Sequence, residues 1–235
     1  MLHLYILFFL ILSGTVVRYF IIGQIDVTTI MIASISLVAA VVLYIVANIL
    51  SKKEQAYIPA NTENWSIYVL QKFLHTPKPL FKGKEQKGVY QRLFTKRWHR
   101  VVDSCIEGKA PWYLSFRLSI GDNVYSVEWE REKLLANNES WLIYKNGELF
   151  GKAATVFNLK NAVHLKESMR GTLGEEGFTI TSRTINGEAK MMCDNKVVGS
   201  IKRNNLVSGV HTITVNDDQD VYILALLLFD MYFKS

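Results

Sequence analysis

One segment near the start of the chain limits the possible folds more than any other feature. Residues 27–50 contain no charged side chain. At a rise of about 1.5 Å per residue, a helix of this length exceeds the ~30 Å hydrocarbon core of a bilayer. The segment therefore predicts a transmembrane helix.

The residues before this segment predict a second transmembrane helix. Residues 2–22 are mostly apolar, and the sequence GQID at residues 23–26 separates the two stretches. A signal peptide is the alternative, but the stretch has no basic start and no small-residue cleavage site. Arg18 lies close enough to the break for its stem to reach the membrane interface, so we interpret it as an anchor. Residues 1–51 are thus predicted to form a two-helix transmembrane hairpin.

Basic residues after the second stretch predict its orientation. The sequence SKKEQ follows Leu50 directly, and cytoplasmic flanks of membrane helices retain Lys and Arg. Two spans then place both termini in the cytoplasm of a cell-membrane protein, although Arg18 near the outer turn argues mildly against this. Cys105 and Cys193 are too few for a disulfide framework and suit a reducing compartment.

The charge of the remaining chain is concentrated next to the membrane. Residues 52–110 carry 12 Lys and Arg against 5 Asp and Glu, whereas residues 111–235 carry 14 against 15. The basic segment either contacts anionic head groups or forms an ordinary solvated flank. Nucleic acid is not favoured as a partner, because no recognition motif accompanies the charge. Residues 52–63 are predicted to be a basic juxtamembrane linker.

Short runs of β-branched and aromatic residues, bounded by turn residues, follow the linker and predict a mainly β domain over residues 64–235. Asn146-Gly147 is the strongest hairpin signal, and Asn186-Gly187 and Asp194-Asn195 are similar. So many antiparallel strands must close on themselves or stack, because open edges pair with other chains. The predicted strands are residues 65–70, 89–94, 97–103, 112–120, 124–130, 140–145, 148–156, 161–168, 177–184, 188–193, 196–202 and 209–215. Residues 64–74 could equally form a helix capped by Asn or Thr.

The apolar run at the end of the chain predicts a buried helix. Residues 221–233 would span only ~20 Å as a helix, which is too short to cross a bilayer. The run is apolar on every side apart from Asp230, and such a helix must be buried all round. Asp217 or Asp218 can cap its start, and Asp230 can pair with Lys234. We therefore expect a helix over residues 218–233 inside a closed barrel.

The order of these elements resembles a known family. Hairpins around NG, then KVVGSIKR, a TITV strand, an acidic turn and DVYILALLLFDMYF are similar to the tubby-like superfamily, which includes tubby, phospholipid scramblases and LURP-one-related proteins. The chain resembles a membrane-anchored, bacterial-type member. The resemblance implies a closed antiparallel barrel of about twelve strands around a hydrophobic C-terminal helix. It also implies lipid-related function, since some tubby-like domains bind phosphoinositide head groups.

The sequence contains no pattern typical of an enzyme or a metal site. Its five histidines are scattered without ligand spacing, so neither a metal nor another cofactor is predicted. The acidic sequence NDDQD at residues 216–220 lacks the spacing of a calcium loop and suits helix capping better. The sequence GTLGEEG at residues 171–177 has the wrong spacing for a nucleotide loop and is interpreted as a turn.

These observations favour a membrane-tethered, non-catalytic binding module for anionic phospholipid or a membrane protein partner. The alternative is a scramblase-like lipid-transfer protein. Basic side chains and one interfacial tryptophan are the candidate lipid-binding residues. They are Lys82, Lys84, Lys87, Lys96, Arg97, Trp98, Arg100, Lys202 and Arg203.

Overall fold

In a computed structural model of the chain, two helices precede a closed β-barrel that surrounds a third helix. The predicted fold class is therefore confirmed. The structure describes residues 2–24, 26–59, 63–70, 76–99, 113–130, 138–156, 167–182, 187–204, 209–216 and 219–233.

Helices α1 (Leu2–Ile22) and α2 (Val27–Gln55) pack against each other and are both long and apolar enough to cross a membrane. Small side chains allow the close approach, since the buried positions on the apolar part of α2 are alanine or serine. Those positions are Ala33, Ser36, Ala40 and Ala47.

Asp26 organises the turn between α1 and α2. Its Oδ1 accepts hydrogen bonds from the backbone N–H groups of Thr28 and Thr29, which caps α2. Its Oδ2 lies 2.8 Å from Nη1 of Arg18, so the arginine reaches toward the turn as expected of an anchor.

Helix α2 continues four residues into the segment predicted to be linker. Lys52 and Lys53 lie in its last turn, where positive charge interacts favourably with the C-terminal end of the helix dipole. Helix-forming side chains and a buried contact of Glu54, described below, carry the helix as far as Gln55.

Twelve antiparallel strands form the barrel, each hydrogen-bonded to its neighbours in sequence, and β1 closes it by pairing with β12. This number of strands was predicted. The strands are β1 (Trp65–Tyr68), β2 (Lys78–Lys82), β3 (Glu85–Leu93), β4 (Ser115–Ile120), β5 (Asn123–Glu130), β6 (Ser140–Lys145), β7 (Glu148–Thr155), β8 (Glu167–Leu173), β9 (Glu176–Ser182), β10 (Ala189–Cys193), β11 (Lys196–Arg203) and β12 (Val210–Val215).

Helix α3 (Asp220–Phe233) fills the barrel, as its length and its all-round apolar surface predicted. Every side chain from residue 223 to residue 229 is 0% exposed. Residues 217–218 and 234–235 lie outside the described residues, so the expected caps and the Asp230–Lys234 pair are not described. Asp230 points to the wall of the barrel, where its Oδ1 is 2.8 Å from Nδ1 of His211.

In the first third of the barrel, the sequence interpretation missed one strand and predicted another where the chain is helical. Strand β2 was missed because Pro77 and Pro79 flank its first residue, and proline ordinarily argues against a strand. Conversely, residues 97–99 of the predicted strand 97–103 are helical, and residues 100–103 lie outside the described part of the chain. The N–H of His99 donates to the carbonyl of Lys96 and closes this helical turn.

Strand β8 is described from Glu167 to Leu173, so it extends beyond the predicted end at residue 168, and residues 161–166 of that prediction lie outside the described residues. It takes in residues that had been interpreted as a turn, including Gly171. Glycine is required at this position, because an added Cβ would lie 2.0 Å from the carbonyl oxygen of Lys152 and 2.7 Å from the ring of Phe178. The actual turn is Gly174-Glu175.

We expect Gly171→Ala to lower the free energy of unfolding by about 1–3 kcal/mol, because the backbone of β7 and the Phe178 ring must both shift. Urea unfolding of the full chain in detergent micelles, followed by near-ultraviolet circular dichroism, measures this loss. Gly177→Ala is the matched control, since nothing lies within 4 Å of its added Cβ. Equal stability of the two variants would contradict the packing described for β8.

The two ends of the barrel differ in their connections. Two-residue turns join β2 to β3, β4 to β5, β6 to β7, β8 to β9 and β10 to β11, and all five lie at the same end, which we call the hairpin end. The predicted turns at Asn146-Gly147 and Asp194-Asn195 are confirmed, with positive φ at all four residues. Asn186 is outside the described residues. The opposite end, where the last turn of α2 meets the barrel, is called the α2 end.

Candidate functional site

The α2 end of the barrel receives a carboxylate from α2. Oε1 of Glu54 accepts hydrogen bonds from Nζ of Lys78 at 3.0 Å and from the backbone N–H of Leu70 at 2.6 Å. The Glu54 side chain is 1% exposed and the Lys78 side chain 3%. Lys78 pairs with the core residue Tyr90 in the β2–β3 register and therefore shares its inward face. The helix is thus joined to the barrel by a buried ion pair.

Aromatic rings cover this joint. Tyr57, two residues after the end of α2, stacks on Tyr68 of β1 with ring centroids 4.8 Å apart. The same ring meets the edge of Phe81 of β2 at 5.9 Å. Burial raises the pKa of Tyr57 above its ordinary value, so the hydroxyl is neutral at physiological pH. The chain leaving α2 is therefore packed onto the first two strands.

The interior of the barrel is polar near this end. Besides Lys78 it contains the His211–Asp230 pair, whose side chains are 2% and 1% exposed. Burial raises the pKa of Tyr90 well above its ordinary value, and the carboxylates of Asp230 and Glu54 raise it further. Tyr90 therefore lies within electrostatic reach of both α2 and α3.

A basic and aromatic segment follows β3 at the α2 end. It consists of Lys96, Arg97 and Trp98, and we call it the KRW segment. All three side chains are exposed, and the Trp98 side chain is 51% exposed although tryptophan is usually mostly buried. The segment thus presents two cations and an indole ring to the surroundings.

Packing beneath Trp98 fixes the position of the KRW segment. Its ring meets His99 and Tyr113 edge-on at centroid distances of 4.3 and 5.3 Å, and Tyr113 in turn meets Trp129 at 4.8 Å. His99 is 4% exposed, and its Nδ1 lies 3.1 Å from Oγ1 of Thr95. Burial and the charge of Lys96 lower the pKa of His99, so the imidazole is neutral at physiological pH. The exposed cations of the segment therefore belong to Lys96 and Arg97.

The first three predicted lipid-binding residues, Lys82, Lys84 and Lys87, lie at the opposite, hairpin end. Lys87, the nearest of the three along β3, is six positions from the end of that strand at Leu93, a distance of ~20 Å at about 3.3 Å per residue. Lys82 lies 5.8 Å above the ring of Trp65, and Lys87 is 2.5 Å from Glu85. A cavity of about 400 Å³ beside them is lined by two lysines and two aspartates, so its charge is balanced. Its lining residues are Trp65, Lys82, Lys87, Ile120, Gly121, Asp122, Asn123 and Asp220.

The remaining predicted basic residues do not share one surface. Lys202 and Arg203 end β11 near the α2 end, but they point to opposite faces of the wall. Lys202 is exposed, whereas Arg203 pairs with His211 in the β11–β12 register and shares its inward face. Arg100 lies outside the described residues. Of the nine candidates, Lys96, Arg97 and Trp98 lie together at the α2 end, and Lys82, Lys84 and Lys87 lie together at the hairpin end.

The sequence interpretation missed Glu54 and Lys78. Glu54 is one of five hydrophilic letters in SKKEQ and gives no sign of burial by itself. Its burial can be recognised only once the buried face of α2 is known. Glu54 follows Ala47 and Ser51 on that face at steps of four and three residues.

Comparison with known proteins agrees with this architecture. The family model of the Tubby C-terminal like domain matches residues 69–235, from just after β1 to the end of the chain. No curated protein and no solved structure matches the chain. The chain therefore belongs to the Tubby C-terminal like domain family.

Proposed function

We propose that this protein is a membrane-tethered, non-catalytic binding module that engages anionic lipid head groups through the KRW segment at the α2 end of its barrel. In this proposal α1 and α2 span the membrane, both termini are cytoplasmic, and residues 64–235 form the cytoplasmic domain. Domains of this family are generally binding modules rather than enzymes, which supports a non-catalytic role.

The observation that carries the proposal is the buried contact of Glu54 with the barrel. Only four residues, or ~6 Å of helix, separate Glu54 from Leu50 at the end of the apolar run. If α2 spans the bilayer, the α2 end of the barrel is therefore held at the depth of the head groups. The KRW segment lies at that end, whereas Lys84 and Lys87 lie at the far end of the barrel.

The chemistry of the KRW segment suits this depth. Each Lys or Arg near an anionic membrane surface contributes on the order of 1 kcal/mol to binding. Tryptophan favours the interface, where its apolar ring and its N–H group both find suitable surroundings. Lys52 and Lys53 flank the apolar run on the same side, which supports a cytoplasmic position for the barrel.

Electron paramagnetic resonance of spin-labelled lipids tests the proposal with the full chain in liposomes. The method compares how strongly the protein restricts the motion of labelled phosphatidylglycerol and of labelled phosphatidylcholine. We expect a preference for phosphatidylglycerol that falls at least threefold, and up to ~30-fold, in Lys96→Gln/Arg97→Gln. The matched control is Lys84→Gln/Lys87→Gln, which removes two lysines at the hairpin end and should keep the preference.

Equal restriction of the two lipids by the parent chain would contradict lipid recognition. A membrane protein would then be the remaining ligand for the α2 end. An equal loss of preference in both double variants would contradict the assignment to the KRW segment, because general charge would then explain the binding.

Lipid transfer has less support from the structure. The side chains of residues 223–229 occupy the interior of the barrel and are 0% exposed. Interiors packed in this way resemble organic crystals and leave no room for an acyl chain. The described interior therefore suits a rigid scaffold better than a lipid conduit.

A further inference from the structure

The connection between the helical hairpin and the barrel differs from a flexible linker. A linker joins two domains through solvated backbone, whereas here the last turn of α2 contributes a side chain to the barrel interior. Glu54 is 1% exposed, although glutamate is almost never fully buried without a partner. Its partners Lys78 and the N–H of Leu70 belong to the barrel and its first loop.

The ion pair makes docking of α2 specific in position. A buried charge requires a partner of opposite sign, because leaving either member alone in the interior is strongly unfavourable. Lys78 faces inward beside Tyr90, so undocking α2 would remove the carboxylate from this interior lysine. A shift of α2 by one residue would rotate Glu54 by about 100° and point it away from Lys78.

The segment after Glu54 adds a second set of contacts. At the end of α2, the N–H of Ala56 donates to the backbone carbonyl of Lys52, and the N–H of Tyr57 donates to the backbone carbonyl of Glu54. Tyr57 then stacks on Tyr68, only three residues beyond the ion pair. No glycine occurs between Gly23 and Gly83, so the chain has no residue of high backbone freedom at this junction.

We propose that α2 and the barrel form one rigid body, joined at Glu54, so that the membrane hairpin holds the barrel in a single orientation and is not merely its tether. The joint also borders the barrel core, because Lys78 lies opposite the buried Tyr90 in the β2–β3 register. Tilting or sliding of α2 in the membrane then moves the whole barrel with it. This inference does not depend on lipid recognition by the KRW segment.

Distance measurements between two spin labels test the rigid joint in the full chain reconstituted into nanodiscs. The labels replace the exposed residues Lys53 on α2 and Lys84 at the hairpin end, with Cys105→Ser and Cys193→Ala as background. We expect one narrow distance distribution. If residues 55–64 were a flexible linker, their end-to-end distance of ~17 Å would spread the distribution widely.

Glu54→Ala is expected to broaden this distribution at least twofold, and Gln55→Ala, at the exposed neighbouring position, is the matched control and should leave it unchanged. Glu54→Ala could unfold the barrel by leaving Lys78 buried without this carboxylate. The double variant Glu54→Gln/Lys78→Met removes both charges, so we expect it to remain folded and also to broaden the distribution. A broad distribution in the parent chain would overturn the proposal. A distribution that stays narrow in the folded double variant would overturn the role of the ion pair.

Discussion

Leu226→Asp is expected to unfold the barrel while leaving the membrane hairpin inserted. Leu226 is 0% exposed at the centre of α3, and its Cδ1 would lie 3.2 Å from a Cβ added to Gly199 of β11. A carboxylate at this point loses its hydration among the apolar side chains of the core, which costs several kcal/mol. A domain of this size is stable by only about 5–15 kcal/mol, so most or all of its stability would be lost.

Near-ultraviolet circular dichroism and trypsin sensitivity of the full chain in detergent measure this effect, and membrane fractionation reports on the hairpin. Leu149→Asp is the matched control, because Leu149 is 57% exposed at the hairpin end and should tolerate the charge. If Leu226→Asp melted like the parent chain, α3 would not be the core of the barrel.

Asp230→Ala is expected to lower the free energy of unfolding by about 3 kcal/mol, because the buried Nδ1 of His211 would lose its hydrogen-bond partner. The double variant His211→Leu/Asp230→Leu should recover much of the loss, since replacing both hydrogen-bonding side chains by apolar ones leaves neither of them unsatisfied. Chemical denaturation of the parent, the two single variants and the double variant gives the coupling energy. A coupling energy near zero would contradict the interior pairing of α3 with β12.

The sequence predicted the central helix and its barrel because these follow from local properties. Residues 221–233 are too short to span a membrane and too apolar for a surface helix, which leaves only a buried position. Asn146 and Gly147 readily adopt the positive φ that a two-residue hairpin turn requires, so this hairpin could be predicted from the two residues alone. These features depend on residues close together in the chain.

Strand β2 and the later residues of β8 could not be placed because tertiary contacts override their local signals. Lys78 and the two prolines beside it argue against a strand, yet β2 is held between β1 and β3 and its lysine is neutralised by Glu54 of α2. Gly171 resembles a turn residue in sequence, but it lies within β8 beneath the ring of Phe178. Neither contact can be recognised before the fold is known.

The candidate site was predictable in chemistry but not in geometry. Basic residues cluster after the two apolar N-terminal segments in the sequence, and this suggested a single lipid-facing surface. Strand β3 runs between the barrel ends, however, so Lys84 and Lys96 lie at opposite ends although only twelve positions separate them. The Glu54–Lys78 pair, 24 residues apart, was invisible for the same reason.

The depth of each barrel end relative to the membrane tests the central claim most directly. Spin labels at Arg97→Cys and at Lys84→Cys, in the background without native cysteines, are compared for accessibility to oxygen and to a water-soluble nickel chelate in liposomes. We predict that the label at position 97 lies at head-group depth and that the label at position 84 is fully in water. Equal exposure of both labels to the chelate would contradict the proposed orientation of the barrel on the membrane.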